Sequence, residues 1–211
     1  MAVPLLSVYE SFDPADYRRA VSFEEEASIG GEVVTFENFT ISGHEHAGNM
    51  PYIAKYTRFP GAFDRGNARA TSHNMSMIRY AEVLLIAAEA AIEIGRADEA
   101  TTYINQVRAR ARAGGDTETG AGVPVTVPPS AVPADLVGPA TVADVLEERR
   151  IELAFEGIRW FDIARRQLGN EVFGPNGLEG AKPAFTPDDY LLPLPEDELE
   201  RNQNLTQNPG Y

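Results

Sequence analysis

The sequence predicts a mainly α-helical protein in which helical hairpins form a scaffold and irregular, loop-rich lobes surround it. Residues 77–113 carry two amphipathic helical patterns in succession, and residues 141–166 carry further helical pattern. The flanking segments are rich in turn residues and have only short alternating stretches. We therefore expect an irregular lobe at 1–76, a helical scaffold at 77–168, and an irregular segment at 169–211 that packs on the scaffold.

The N-terminal lobe has no sustained helical period. Short alternating stretches at 32–36 and 52–56 predict strands of a small β-sheet, with glycine-containing turns between them. Residues 3–9 resemble the end of a helix, and Asp13-Pro14 is typical of a helix start. Because a domain rarely begins in this way, we expect the chain to start inside a larger protein.

The first helix pair is the clearest local pattern. From Ile78 onward, apolar residues recur at spacings of three and four, and Gly95 is placed to end the helix as a left-handed cap. A second amphipathic pattern follows at once and ends at Gly114. So short a joint requires antiparallel packing of the two helices. Residues 114–139, rich in Gly, Pro, Thr and Val, then predict a long surface loop.

The third helical pattern begins at Thr141, with Asp144 three residues later as a variant of the capping box. Gly157 is expected to interrupt or bend this helix before Trp160 and Phe161 resume an apolar face. In the C-terminal segment we expect a helical turn only at residues 196–201.

Composition excludes several classes of function. The formal net charge of -14 argues against nucleic-acid partners, which need clustered Lys and Arg. The absence of cysteine excludes disulfides, thiolate metal sites and thiol nucleophiles. No apolar run approaches the roughly 18 residues that a membrane span needs, so we expect the chain as given to be soluble. No cofactor is expected.

Charged residues are densest between 147 and 166. They could supply a carboxylate pair for acid and base catalysis, or an arginine site for anions. The alternative is a structural network of ion pairs that joins helices, and we favour it because no His, Ser or Cys nucleophile lies nearby. We assign no catalytic residue. The expected network comprises Glu148, Arg149, Arg150, Glu152, Arg159 and Asp162.

A metal site is a weaker hypothesis. His44 and His46 would share one face of a strand, and His73 could join them from a distance. Metal sites need three or four ligands and a second shell of supporting groups. A solvated loop is therefore the favoured interpretation, and no metal site is predicted.

Aromatic residues of the N-terminal lobe are the better candidates for ligand binding. They are Tyr52, Tyr56, Phe59 and Phe63. If residues 52–56 form a strand, both tyrosines lie on one face and offer flat rings with polar tips, which suit a sugar ring. The competing interpretation, which carries more weight on sequence grounds, is that these rings pack the lobe onto the helices.

Several sequence blocks together resemble the carboxy-terminal half of the SusD/RagB family. They occur in the family order at 78–85 (IRYAEVLL), 104–110 (INQVRAR), 148–162 (ERRIELAFEGIRWFD), 190–195 (YLLPLP) and 204–211 (NLTQNPGY). Residues 1–76 fit the family pattern more loosely.

The resemblance implies a tetratricopeptide-like helical scaffold whose irregular loops hold a ligand. It also implies a non-catalytic outer-membrane lipoprotein on the cell surface, which binds glycans or other nutrients. Such proteins deliver their oligosaccharide to a SusC-like TonB-dependent transporter. The family's lipid-bearing cysteine and its early scaffold helices are missing here, so membrane contact through a lipid anchor is expected for the parent protein only.

Two other functions stay open at this point. A helical-repeat module could bind a protein partner and no small molecule. An enzyme acting on glycans would need a carboxylate pair whose removal abolishes turnover. The shared family blocks do not separate these hypotheses, because they are expected to belong to the scaffold.

Overall fold

The computed structural model describes residues 4–39, 49–56, 76–119, 122–177, 179–182 and 184–211. The chain forms two compact units, Met1–Arg159 and Trp160–Tyr211. Within the described ranges, no helix combines the length and the apolar character needed to span a bilayer.

The first unit begins with two short helices, α1 (Leu6–Glu10) and α2 (Tyr17–Ser22). The predicted helix start at Asp13-Pro14 is wrong by three residues. The Asp13 carboxylate accepts the backbone N–H of Ala15 in a turn, at 2.8 Å. Asp16 is the residue that caps α2, because its carboxylate accepts the N–H of Arg18 at 2.9 Å.

Short antiparallel strand pairs flank the helices. The strands are β1 (Phe23–Glu24), β2 (Glu26–Ile29), β3 (Glu32–Thr35), β4 (Tyr52–Ile53), β5 (Gly115–Glu118) and β6 (Pro124–Val127). Strand β1 pairs with β4, β2 with β3, and β5 with β6. The β2–β3 turn uses Gly30 and Gly31, both at positive φ. The strand expected at 32–36 is present but ends at Thr35, because Phe36 begins a 3₁₀ turn. The strand expected at 52–56 ends at Ile53.

The predicted helix pair is present as α3 (Tyr80–Glu93) and α4 (Ala97–Arg112). Gly95 takes a positive φ of 76° between them, as expected for a left-handed cap. The inner faces share a core of buried apolar side chains: Leu84, Leu85, Ala88, Ala91, Ala100, Ile104 and Val107, with Ala140 and Val145. The small alanines allow the two helix backbones to approach closely.

Helix α5 (Val142–Glu152) packs against this pair. Its start confirms the predicted capping box, since Thr141 Oγ1 accepts the Asp144 N–H and Asp144 Oδ2 accepts the Thr141 N–H. The helix ends before Gly157, and positive φ values at Phe155 and Gly157 turn the chain away.

A second, aromatic core joins the N-terminal lobe to the chain that follows α5. Phe23 is fully buried, and its ring meets Tyr9, Phe12 and Phe155 edge to face at centroid distances of 5.1, 5.0 and 5.4 Å. Edge-to-face pairs of this kind add to the stabilisation that burial itself provides. The lobe is therefore held by its own core as well as by contacts with charged groups.

The second unit contains α6 (Arg159–Arg166) from its second residue onward, then α7 (Gly169–Val172), a 3₁₀ turn (Pro187–Tyr190) and α8 (Glu196–Arg201). The helical turn expected at 196–201 is confirmed, but the prediction that it is the only one in this segment is wrong, because α7 and the 3₁₀ turn form there as well. In α6 Ile163 is buried but Phe161 is 66% exposed, so the apolar face predicted to include Phe161 is wrong there. An eight-residue helix buries one narrow stripe, and Phe161 lies outside it.

The last residues of the chain form hydrogen bonds with the segment before α8. The Gln207 side chain both accepts from the Leu194 N–H at 2.7 Å and donates to the Leu194 carbonyl at 3.0 Å. Asn208 donates to the Leu192 carbonyl, and the Tyr211 hydroxyl donates to the Leu191 carbonyl. Two sequence blocks, 190–195 and 204–211, are thus one structural feature.

Candidate functional site

The charged cluster of the first unit centres on Glu152, in the last turn of α5. Its side chain is 1% exposed. Oε1 lies 2.5 Å from Arg79 Nη1, and both carboxylate oxygens lie 2.8 Å from Arg110 Nη2. Arg18 Nη1 is 3.4 Å from Oε2. A buried carboxylate with several charged donors is stable in its ionised form.

Glu148 lies one helical turn earlier and is also buried. Arg18 Nη1 lies 2.5 Å from its Oε1, and Arg108 Nε lies 2.7 Å from its Oε2. The same Arg18 guanidinium forms a bidentate pair with Asp16, with Nε 3.0 Å from Oδ1 and Nη2 2.7 Å from Oδ2. These ion pairs join α2, α4 and α5 with Arg79, the residue before α3.

The outer edge of the cluster is formed by Lys55, Glu156 and Arg79. Lys55 Nζ lies 2.5 Å from Glu156 Oε1 and donates to the carbonyls of Glu152 and Ala154 at 2.7 and 3.1 Å. Arg79 bonds both oxygens of Glu156, at 2.8 and 2.9 Å. Every one of these side chains has several partners, so their positions are fixed before any ligand arrives.

The pKa shifts show which protonation states the cluster favours. Burial raises the pKa of Glu152, but the charges of Arg110 and Arg79 outweigh it and the net pKa is lowered. The pKa of Glu156 is lowered in the same way, with burial opposed by the hydrogen bond from Arg79 and the charge of Lys55. Burial lowers the pKa of Lys55 although Glu156 opposes it. These carboxylates are therefore poor proton donors at neutral pH.

The structure brings together only part of the ion-pair set that the sequence suggested. Glu148 and Glu152 lie in one cluster, but Arg150 pairs with Glu147 at 2.6 Å and donates to Ser11. Asp162 pairs with Arg165 at 2.7 Å in the second unit. Arg149 is buried and Arg159 is half-buried.

Sequence reasoning missed the cationic partners of the two buried glutamates. They are Arg18, Arg79, Arg108 and Arg110. Lys55 pairs with Glu156 at the edge of the cluster and meets Glu152 only at its backbone carbonyl. The sequence did indicate that such partners are needed, because Glu148 and Glu152 are four residues apart and repel each other on one helix face. Two buried carboxylates so placed require cations from elsewhere, although their spacing does not say from which segment.

Tyr56 directly follows Lys55 of this cluster in the chain, and the residue is 42% exposed. Partial burial raises the pKa of its hydroxyl, the nearby Glu156 carboxylate raises it further, and Arg79 partly opposes both. The Tyr56 hydroxyl therefore lies within electrostatic range of the Glu156–Arg79 pair. An exposed aromatic ring next to fixed charged donors and acceptors can contact a molecule that has both apolar and hydroxyl-bearing faces.

Tyr52 is placed differently. It lies in β4, half-buried, with its ring stacked on the buried Phe39 at a centroid distance of 4.7 Å and an interplanar angle of 21°. Because β4 ends at Ile53 and Ala54 is buried, Tyr52 and Tyr56 do not lie on one continuous strand.

Other sequence-based candidates cannot be placed. Phe59 and Phe63 lie outside the described residues, as do His44, His46 and His73. Among the residues that are described, no group of three or more His, Cys, Asp and Glu side chains is arranged to hold a metal ion.

The sequence profile of the SusD family matches residues 40–211. The chain belongs to the SusD family. It is 48% identical over 215 residues to SusD-like protein P2 of Formosa agariphila, a match that covers all of this chain and 40% of that protein. SusD-like protein P38 of the same organism is 36% identical over 152 residues, covering 65% of this chain and 25% of that one. The chain thus spans less than half the length of these curated relatives.

Two solved structures share the fold. A SusD homolog from Bacteroides thetaiotaomicron VPI-5482 matches with a TM-score of 0.63 at 22% identity, over 93% of this chain and 41% of that one. Surface glycan-binding protein A from Bacteroides thetaiotaomicron, in complex with laminarihexaose, matches with a TM-score of 0.56 at 22% identity, over 95% and 39%. The predicted family and the mainly helical, tetratricopeptide-like fold are confirmed.

Proposed function

We propose that this SusD-family chain contributes to glycan binding in an outer-membrane nutrient-uptake complex. The observation that carries the proposal is the exposure of Tyr56, the residue that directly follows Lys55 of the fixed Lys55–Glu156–Arg79 group. A pyranose ring has one face of C–H groups, which an aromatic face attracts, and a rim of hydroxyls, which charged donors and acceptors can bind.

The rigidity of this surface supports a binding role. Lys55 follows β4 closely and is held by two backbone carbonyls as well as by Glu156. Arg79 is fixed by Glu152 and Glu156 at once. A ligand that meets groups already in place loses less free energy to ordering on binding.

The protonation states of the cluster support a non-catalytic role. Glycoside hydrolysis requires a carboxyl group that is protonated at the working pH and a second that acts as base or nucleophile. The pKa values of Glu152 and Glu156 are lowered by arginine and lysine neighbours, so neither suits the acid. This supports the proposal of a binding protein and counts against a glycan-acting enzyme at this cluster.

The proposed partner is a SusC-like TonB-dependent transporter, to which the oligosaccharide would be delivered at the cell-surface side of the outer membrane. The parent protein would be held there by a lipid anchor. Family membership supports both parts of this proposal. The net charge of -14 counts against nucleic acid as a ligand.

Calorimetric titration against an oligosaccharide panel that includes laminarihexaose tests the site. Tyr56→Ala is expected to weaken binding by about tenfold, the equivalent of one well-packed aromatic contact. Tyr52→Ala is expected to weaken it less, because its ring is already stacked on Phe39. Tyr211→Ala is the matched control, an exposed tyrosine of the other unit. Unchanged affinity in both Tyr56→Ala and Tyr52→Ala would contradict the proposed site.

A second candidate function is that of a helical-repeat module that binds a protein and no small ligand. One observation favours it: the outer face of α3 exposes large apolar side chains, with Tyr80 72% exposed and Ile86 52% exposed, joined by Val83 and Ile94. Two results together would support this function. The chain would copurify with a SusC-like transporter, and Ile86→Glu would abolish that copurification. No binding would be detected across glycan and peptide panels.

A further inference from the structure

We infer that a cavity in the second unit, lined by Phe173 and Phe185, is an additional subsite for one neutral sugar ring. The cavity measures about 450 Å³. That volume lies within the range of roughly 300–1,000 Å³ typical of small-molecule pockets. That the ligand is a carbohydrate rests on the proposed function. The location of the subsite and its preference for an uncharged ring are argued from the second unit alone.

Two aromatic rings supply the apolar part of the cavity. The Phe173 and Phe185 centroids lie 5.2 Å apart with planes tilted by 36°, so the rings form adjoining walls rather than a closed stack. Ala181 also lines the cavity, and its small side chain leaves space. Flat apolar walls at an angle suit the C–H face of a pyranose, because an aromatic face carries partial negative charge.

These walls are held in place by contacts around Gly169. A Cβ atom at that position would lie 2.1 Å from two ring atoms of Phe185, so the ring rests directly on the Gly169 backbone. The Gly169 N–H donates to the Tyr190 hydroxyl at 2.7 Å, and Tyr190 meets Phe185 edge to face at 5.1 Å. On the other side, the Lys182 N–H donates to the Phe173 carbonyl at 2.9 Å. The cavity is therefore part of the folded unit and needs no rearrangement to open.

Polar groups at the rim favour a neutral ligand. Asn170 is exposed and offers both a donor and an acceptor to hydroxyl groups. Lys182 Nζ lies 2.8 Å from Asp189 Oδ1, and this bond holds the pKa of Asp189 below its usual range. Because Lys182 already pairs with Asp189, an acidic sugar would have to displace the Asp189 carboxylate in order to pair with the lysine.

The net charge of the second unit also favours a neutral ligand. Residues 160–211 contain nine Asp and Glu against four Lys and Arg. Such an excess of negative charge repels anionic ligands over a distance of about 10 Å at moderate ionic strength. A neutral ring with hydroxyl groups is the carbohydrate that these walls and this field accept.

Trp160 provides a local probe of the cavity. It is the only tryptophan of the chain, and its ring centroid lies 6.4 Å from that of Phe173. A ligand against Phe173 is expected to change Trp160 fluorescence, whereas calorimetry measures binding anywhere on the protein. The whole chain is titrated with laminaribiose as the neutral probe and with glucuronic acid as the anionic one.

We expect a saturable change of Trp160 fluorescence with laminaribiose and none with glucuronic acid. Ala181→Phe, which fills the cavity without removing a wall, is expected to abolish the change. Ala184→Phe is the matched control, because Ala184 is exposed and does not line the cavity. Thermal unfolding of both variants checks that they are folded.

The outcomes separate this subsite from the site at Tyr56. A fluorescence change that persists in Tyr56→Ala and disappears in Ala181→Phe supports the subsite, whatever Tyr56→Ala does to calorimetric binding. No saturable change in the wild type, a change that survives in folded Ala181→Phe, or a response to glucuronic acid alone overturns it. If laminaribiose binding is lost in Tyr56→Ala while Trp160 never responds, the proposed function stands and the subsite does not.

Discussion

Arg18 and Glu148 are 130 residues apart in the chain, yet Arg18 Nη1 lies 2.5 Å from Glu148 Oε1. Both side chains are at most 5% exposed. Arg18 belongs to α2 in the N-terminal lobe and Glu148 to α5 in the scaffold, so this contact fixes the lobe on the helices. The Tyr56 surface depends on the same arrangement, because Lys55 reaches the scaffold residues Glu152 and Glu156.

Arg18→Ala is expected to destabilise the protein by about 3–5 kcal/mol, because it leaves Asp16 and Glu148 buried without their shared cation. Urea denaturation measures the change in the free energy of unfolding. Arg96→Ala is the matched control, since Arg96 is 63% exposed and pairs with Glu99 on the surface; about 0.5 kcal/mol or less is expected. Equal losses in the two variants would contradict a special role for the buried pair.

The scaffold could be predicted from sequence because its signals are local. The spacing of apolar residues in α3 and α4, the glycine between them, and the Thr141–Asp144 cap each involve neighbours within one or two turns. The cap at Asp16 could not be told from Asp13, because both are followed by residues able to start a helix and only packing decides.

The candidate site was predictable only in part, because long-range pairing determines it. Tyr56 could be singled out as an aromatic residue in an irregular lobe, but its neighbours Glu156 and Arg79 come from segments that sequence spacing does not connect. The cavity of the second unit had no signal of this kind. Phe173 and Phe185 stand in a stretch rich in turn residues, where no period indicates that their rings meet.

Acidification is expected to destabilise the protein through Glu152 and Glu156. Their pKa values are lowered in the folded state, so the stabilisation is fully present above their ordinary value of 4.5 and is lost as the pH falls through the lowered values. Urea denaturation between pH 7 and pH 3 measures this. Glu152→Gln should be less stable at pH 7 and lose less on acidification. Glu10→Gln, at an exposed position, is the control; a Glu152→Gln profile parallel to the wild type contradicts the prediction.

Thr141→Ala is expected to cost about 1 kcal/mol, because it removes the side chain that accepts the Asp144 N–H at the start of α5. Thr102→Ala is a matched control in the middle of α4, where the exposed threonine hydroxyl only donates back to the Asp98 carbonyl. That change should be neutral or slightly stabilising, since alanine is the better helix former. Thermal unfolding of both variants measures the difference in stability. Similar unfolding midpoints for Thr141→Ala and Thr102→Ala would show that the cap contributes nothing.

Gly169→Ala is expected to destabilise the protein by about 1–3 kcal/mol through overpacking, because its methyl group would lie 2.1 Å from ring atoms of Phe185 and 2.8 Å from the Tyr190 hydroxyl. The cause can be separated from a loss of backbone freedom by combining Gly169→Ala with Phe185→Leu, which removes the ring. If the overlap is the cause, the two changes together cost less than the sum of their separate costs. Urea denaturation followed by Trp160 fluorescence measures all three variants within the unit concerned. Additive costs would mean that Phe185 does not rest on Gly169, and the cavity wall would then be placed differently.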